Sequence, residues 1–145
     1  KLIALLGGKT AADILCRRDL EKMGAQVAVS TEDGSSGSKG MVTDLLHGFF
    51  EDLPPVEERN LSLFACGPLP MLHALSEFAH SREVPCQVSL ESRMACGVGA
   101  CVGCSIPTQA DASTLPTYQR ACTEGPVFDS SVILWGNPHL SPPNG

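Results

Sequence analysis

The chain has 145 residues, enough for one ordinary domain or for a small domain joined to a module that needs help to hold itself together. Its 43% hydrophobic and 18% charged residues exclude wholesale disorder. Sixteen acidic against ten basic residues give a net charge of −6 without a basic run, which speaks against a nucleic-acid partner. The longest apolar stretches, Leu2 to Leu6 and Leu61 to Ala65, are far shorter than the ~20 residues of a membrane helix. No basic segment followed by an apolar one opens the chain, so the expectation is a soluble, cytoplasmic protein that meets no membrane.

In chain order, Leu2 to Leu6 reads as a strand buried on both faces, ending in Gly7-Gly8. Thr10 with Asp13 predicts a helix start, with Ile14, Leu15 and Met23 on one face and Gly24 as the stop. Gln26 to Ser30 predicts a second strand. Met41 to Phe50 predicts a helix with Val42, Leu45, Leu46 and Phe49 on its apolar side. A Pro- and Glu-rich connection, Asp52 to Asn60, leads to a strand at Leu61 to Ala65. A third helix then runs from Pro68 to about His80, with proline suited to its first turn. This alternation implies right-handed crossovers and a parallel sheet of nucleotide-binding type. No G-x-G-x-x-G stands at its start, so the chain is expected to begin part-way through such a domain.

From Cys86 the composition changes. Cys86 to Leu90 reads as a strand, followed by glycines, cysteines, prolines and short β-like pieces at Ser105-Ile106, Tyr118 to Ala121, Val127-Phe128 and Val132 to Trp135. A boundary falls near Val84-Pro85, giving residues 1–84 and 85–137, with 138–145 as a tail. The second part is too small and too rich in glycine and proline to rely on a hydrophobic core, and a metal site would supply the missing constraint.

Seven cysteines are an odd number and fit no closed disulfide framework in a reducing compartment. Cys96, Cys101 and Cys104 read C-x4-C-x2-C, with Cys122 following; this is the plant-type [2Fe–2S] spacing. Gly97, Gly99 and Gly103 would let the backbone curl around a cluster and aim peptide N–H groups at the sulfurs. A structural zinc site of the same four cysteines is the bland alternative, and free or redox-sensing thiols a third. Paired C-x2-C knuckles would favour zinc, and only one occurs. Cys16 and Cys86 read as small buried hydrophobes. Cys66, in Cys66-Gly67-Pro68, ends a parallel strand, where such sheets bind ligands. The loop after the second strand carries Glu32, Asp33 and Gly34. Its bland reading is a solvated Ser/Gly loop; the other is that an acidic group there accepts from a ribose diol and repels a 2′-phosphate, favouring NADH. His47, His73, His80 and His139 form no ligand pattern.

Five segments in order carry a resemblance: Ser30-Thr-Glu-Asp-Gly34, Lys39-Gly-Met-Val-Thr-Asp-Leu-Leu46, Cys66-Gly-Pro68, Glu91-Ser-Arg-Met-Ala-Cys96 running on to Cys104, and Tyr118-Gln-Arg-Ala-Cys122-Thr-Glu-Gly-Pro-Val-Phe128. Together they resemble the electron-transfer subunits of NAD-dependent (type B) dihydroorotate dehydrogenases, a ferredoxin-reductase-like family of iron–sulfur flavoproteins. The resemblance implies an α/β chain: a partial ferredoxin-reductase-type NAD-binding parallel sheet, followed by a small β-rich [2Fe–2S] domain. It implies Cys96, Cys101, Cys104 and Cys122 as cluster ligands. It also implies Cys66, Gly67 and Pro68 near nicotinamide and flavin, and Glu32, Asp33 and Gly34 at the NAD edge. The implied role is electron transfer between NADH, FAD, the cluster and the FMN of a separate catalytic subunit, in pyrimidine (UMP) biosynthesis. The FAD-binding barrel of that family has no counterpart in these residues, so the chain is expected to match its C-terminal portion. Related subunits of NADH:ferredoxin transhydrogenases, hydrogenases or sulfide dehydrogenases are the alternative within the fold, and a zinc-stabilised interaction module the alternative outside it.

Overall fold

A computed structural model of the chain describes residues 1–54, 60–109, 115–137 and 140. The fold is α/β with parallel strand pairing, and the chain divides into two compact units, Lys1–Pro55 and Val56–Gly145. That division lies upstream of the compositional boundary at Val84-Pro85, because the strand after Pro85 pairs with a strand before it. Most of the Asp52–Asn60 connection, and the tail apart from Leu140, lie outside the described residues.

In the first unit, β1 (Ile3–Gly8), β2 (Gln26–Thr31) and β3 (Ser38–Lys39) form an all-parallel sheet in that order. The helix α2 (Val42–Glu51) packs on β1 and β2 through Leu46 and Phe50. Asp44, in its first turn, accepts a hydrogen bond from the Met41 N–H at 2.8 Å, satisfying an orphan donor and placing negative charge at the helix N-terminus. The strand β1 is half-buried along Ile3–Leu6 rather than buried on both faces.

The sequence between β1 and β2 departs most from expectation. A 3-10 turn at Ala11–Asp13 replaces the helix start, with Asp13 accepting from the Thr10 N–H and hydroxyl. Cys16 sits in the left-handed region at φ +59°, and only then does the short α1 (Arg17–Lys22) begin. The expected apolar face is broken by that residue, leaving Leu15 71% and Met23 74% exposed. Cys16 itself is exposed, not a buried small hydrophobe.

In the second unit β4 (Leu63–Cys66) pairs parallel with β5 (Cys86–Ser89), and β8 (Val127–Asp129) adds antiparallel to β5. The helix α3 (Leu69–Ser81) connects β4 to β5; Pro68 caps it, and Leu72, Ser76 and Ala79 share its buried face. A separate antiparallel pair, β6 (Ser105–Thr108) and β7 (Thr117–Arg120), completes the unit. Residues 130–132, expected within the last β-like stretch or just before it, form a 3-10 turn, and Ile133 bridges to Thr108.

One apolar cluster unites these parts: Leu72, Ala79, Cys86, Val88, Leu90, Cys104, Ile106, Ala121, Phe128, Ile133 and Leu140. The cysteine-rich part is therefore rooted in the same core as α3 and β5, and Cys86 is buried in it as the sequence reading expects. Leu72 is 1% exposed at the centre of this cluster, so Leu72→Ala should destabilise the protein by about 2–5 kcal/mol, read from the midpoint of urea unfolding.

Candidate metal centre

The four cysteines of the spacing motif meet in two pairs. The run from Glu91 to Cys104 leaves β5 without regular structure and winds through turns. Gly97 at φ +67° and Gly99 at φ +77° supply the left-handed residues that this winding requires. At Gly99 a Cβ would stand 2.8 Å from the Thr123 methyl, so the position excludes any side chain on two grounds. The winding turns the Cys101 N–H onto the Cys96 sulfur at 3.3 Å.

The second pair is made by strand register. Ser105 on β6 faces Arg120 on β7, and the Ala121 N–H donates to the Cys104 carbonyl at 3.0 Å. Cys104, just before β6, and Cys122, just after β7, therefore come side by side, with their sulfurs 3.3 Å apart and hydrogen-bonded. All seven cysteines are free thiols.

Electrostatics marks the same residues. The N–H groups of Val98 and Cys101, then the Cys101 side chain, pull the Cys96 thiol down to about 6. Cys104 is lowered by the Cys122 N–H first and its side chain second. Cys122 is raised, chiefly by its hydrogen bond to Cys104: the first proton leaves this pair readily and the second is held. The Gly99 N–H points at Cys122 and favours its thiolate.

Arg120 and Glu124 flank Cys122. The carboxylate accepts from Arg120 Nη2 at 2.6 Å and Nε at 3.1 Å, and also from the Arg120 backbone N–H. Arg120 Nη1 donates to the Gly99 carbonyl at 2.8 Å, reaching back into the cysteine loop. Hydrogen bonds from Arg120 hold Glu124 down at about 2, while Glu124 first, and the charges of Cys122 and Cys104 after it, hold the guanidinium up. Neither residue has a role in the spacing argument. Opposite charges two residues to either side of a cysteine are the signal that points to them.

The chemistry of the donor set fits an iron–sulfur cluster. Four thiols stand in two pairs with amide N–H groups turned toward the sulfurs, and a two-iron cluster asks for two protein ligands on each iron. Among the described residues, no three His, Cys, Asp or Glu side chains are gathered into one group, so the thiols stand as two pairs.

The other expected site residues lie elsewhere. Glu32, Asp33 and Gly34 follow β2 in the first unit, where the Glu32 N–H donates to the Gly8 carbonyl at the end of β1. Asp33 Oδ1 accepts from the Ser35 N–H at 2.9 Å and hydroxyl at 2.6 Å, and the Ser35 side chain holds its carboxyl below the usual range. The Ser35 Oγ in turn accepts from the Ala11 N–H at 2.7 Å, so this is a built loop at the C-terminal edge of the sheet rather than a loose one. Gly37, at φ +67°, admits no side chain because a Cβ would lie 2.0 Å from the Val29 carbonyl oxygen. Cys66 is exposed at the end of β4 in the second unit, followed by Gly67 and by Pro68 at the start of α3. Among the described residues no helix is long and apolar enough to cross a membrane.

These placements predict a labelling order in the native protein. Cys16 and Cys66 are exposed, and Cys86 is buried with its thiol pushed up by desolvation. Maleimide should modify Cys16 and Cys66 at once and Cys86 only after denaturation, as read by peptide mass mapping. Equal labelling of Cys86 in native and denatured samples would contradict the packing.

Comparison with known proteins places the chain. Residues 91–134 match the family described as the iron–sulfur cluster binding domain of dihydroorotate dehydrogenase B. The electron transfer subunit of dihydroorotate dehydrogenase B (NAD(+)) from Caldanaerobacter subterraneus subsp. tengcongensis is 41% identical over 110 residues, covering 76% of this chain and 41% of that protein. The Desulforamulus reducens subunit of the same name is 36% identical over 130 residues, covering 90% and 47%. The one from Bacillus caldolyticus is 36% identical over 137 residues, covering 92% and 47%. The chain thus spans about half the length of the curated relatives it matches. A solved NADH-dependent reduced ferredoxin–NADP oxidoreductase shares its fold, with a TM-score of 0.70 at 24% identity, over 92% of this chain and 44% of that one. By these likenesses residues 91–134 belong to the iron–sulfur cluster binding domain family of dihydroorotate dehydrogenase B, and most of the chain is related to that enzyme's electron transfer subunit.

Proposed function

We propose that the protein works as an electron-transfer oxidoreductase component, with a [2Fe–2S] cluster held by Cys96 and Cys101 on one iron and by Cys104 and Cys122 on the other. The observation that carries this reading is the pairing of those thiols inside a cradle of N–H groups. In the finer reading, electrons pass between NADH, FAD, the cluster and the FMN of a dihydroorotate dehydrogenase catalytic subunit, in the cytoplasm and in the service of pyrimidine biosynthesis. The names of the relatives support that partner over ferredoxin transhydrogenases, hydrogenases or sulfide dehydrogenases. The part beginning near Pro85 is the cluster domain in this reading, and residues 1–84 are part of an NAD-binding domain. Glu32, Asp33 and Gly34 serve the ribose edge of NAD, and Cys66, Gly67 and Pro68 the nicotinamide and flavin. No dihydroorotate site is assigned to this chain.

When bound, the cluster supplies one-electron transfer at a distance between two-electron centres. The chain's own residues supply position and potential. The thiolates carry the charge, and the N–H groups of Val98, Ala100 and Cys101 offset it at Cys96. Gly99 does the same at Cys122, and the hairpin register keeps Cys104 and Cys122 together.

Anaerobically purified protein should absorb broadly in the visible, bleach on reduction and contain two irons and two sulfides per chain on this reading. Cys101→Ser and Cys104→Ser should lose most of the iron, whereas Cys16→Ser should keep it. A colourless protein with one zinc would sink the electron-transfer reading, and equal iron in all three variants would sink the ligand assignment.

A further inference from the structure

The two cysteine pairs differ in how they are anchored. Cys104 is 2% exposed in the apolar core, and Cys122 packs against that core. Cys96 and Cys101 ride on a loop whose Val98 and Val102 are 75% and 78% exposed. That loop has little packing of its own, so the separation of the two pairs must be set by specific bonds between the loop and the Cys122 turn.

Gly99 carries one such bond on its carbonyl and turns its N–H toward the other side of the junction. Its N–H faces the Cys122 sulfur, and its carbonyl accepts from Arg120 Nη1 at 2.8 Å. The Arg120 fork is aimed by two further bonds to Glu124, at 2.6 and 3.1 Å. An exposed ion pair four residues apart would by itself be unremarkable surface chemistry. Nη1 adds to it a bond spanning 21 residues of sequence, into the winding between Cys96 and Cys101. The same guanidinium, two residues before Cys122 and bonded to the Gly99 carbonyl, brings a permanent positive charge to this junction.

We infer that Arg120 is a positioning residue that clamps the Cys96–Cys101 loop to the Cys122 turn and raises the potential at which the bound cluster accepts an electron, with Glu124 aiming it and partly offsetting its charge. This rests on the reading of the four cysteines as cluster ligands. Adding an electron to a cluster already carrying four thiolates is opposed by their charge, and a nearby guanidinium favours the reduced form. Glu124 acts in the opposite sense electrostatically while fixing the geometry through its forked bonds.

The test is a redox titration of the anaerobically purified protein followed by visible absorption and EPR, with cluster loss to a chelator timed on the same samples. R120Q should shift the reduction equilibrium toward the oxidised form about tenfold, ~59 mV lower for a one-electron couple. R120K keeps the charge and loses the fork, so its potential should stay near that of the unaltered protein while its cluster is lost faster. E124Q should shift the potential upward. Potentials of all three variants equal to that of the unaltered protein would overturn the proposal while leaving the cluster reading intact. An unaltered protein without iron and sulfide would sink both. Should R120Q hold no cluster, E124Q decides, because it leaves the Arg120 side chain and its charge in place; an unchanged E124Q potential then overturns the proposal.

Discussion

The close approach of cysteine sulfurs in pairs is the constraint on which the cysteine-rich part of the second unit turns. Thiols in hydrogen-bond contact, as Cys104 and Cys122 are at 3.3 Å, ease the first ionisation of the pair and oppose the second; the lowered Cys104 and raised Cys122 express the two halves of that effect. On the cluster reading proposed above, all four must give up their protons to bind. The surroundings are built to offset that cost. Amide N–H groups face Cys96, Cys104 and Cys122, glycines at positive φ aim several of them, and a guanidinium stands beside the Cys104–Cys122 pair. At Cys96, which is half-buried, the backbone donors outweigh desolvation and lower the thiol.

The scaffold under this site is a shared core. Cys104, Ile106 and Ala121, from the β6–β7 pair, lie in the same cluster as Leu72 and Ala79 of α3 and Val88 of β5. The cysteine-rich part thereby draws on a helix and a parallel strand pair that precede or straddle the change in composition. Ser76 Oγ donates to the Ser130 carbonyl at 3.3 Å and the Trp135 indole N–H donates to the same carbonyl at 3.0 Å, while the Trp135 ring stacks on His73 of α3 at 5.2 Å. A segment after the last strand is thus tied back to the helix.

What could be read from the sequence was what covalent spacing or strong periodicity dictates. Cys96, Cys101 and Cys104 lie within nine residues, and their glycines leave the backbone few ways to run except around the sulfurs. The strands β2 and β5 and the helix α3 were legible because apolar runs of the right length were bounded by glycine or proline. The segment around Leu15, Cys16 and Met23 was not, because a single residue at φ +59° breaks a face that looks continuous in sequence, and no propensity marks a cysteine for that conformation. The core assignment of Phe50 rather than Phe49 is a one-residue rotation of α2, within the width of an amphipathic stripe. The flanking charges of Arg120 and Glu124 are visible in the sequence, but the bond from Arg120 to Gly99 is not, because its acceptor is a backbone carbonyl and side-chain identity carries no trace of that.

The asymmetry between the two cysteine pairs bears on what such a site can do. Cys104 and Cys122 are placed by strand register and a packed core, which move only if the fold moves. Cys96 and Cys101 sit on turns whose apolar side chains face outward. An electron carrier needs both properties at once. A rigid inner pair keeps the geometry, and hence the energy of reorganisation, constant between oxidation states, while an outer pair near the surface shortens the distance to a partner. A hairpin alone would supply the first, and a loop alone the second. Joined, they demand a bond between loop and hairpin, and the Arg120–Gly99 contact at 2.8 Å is such a bond, made by a donor whose charge is permanent.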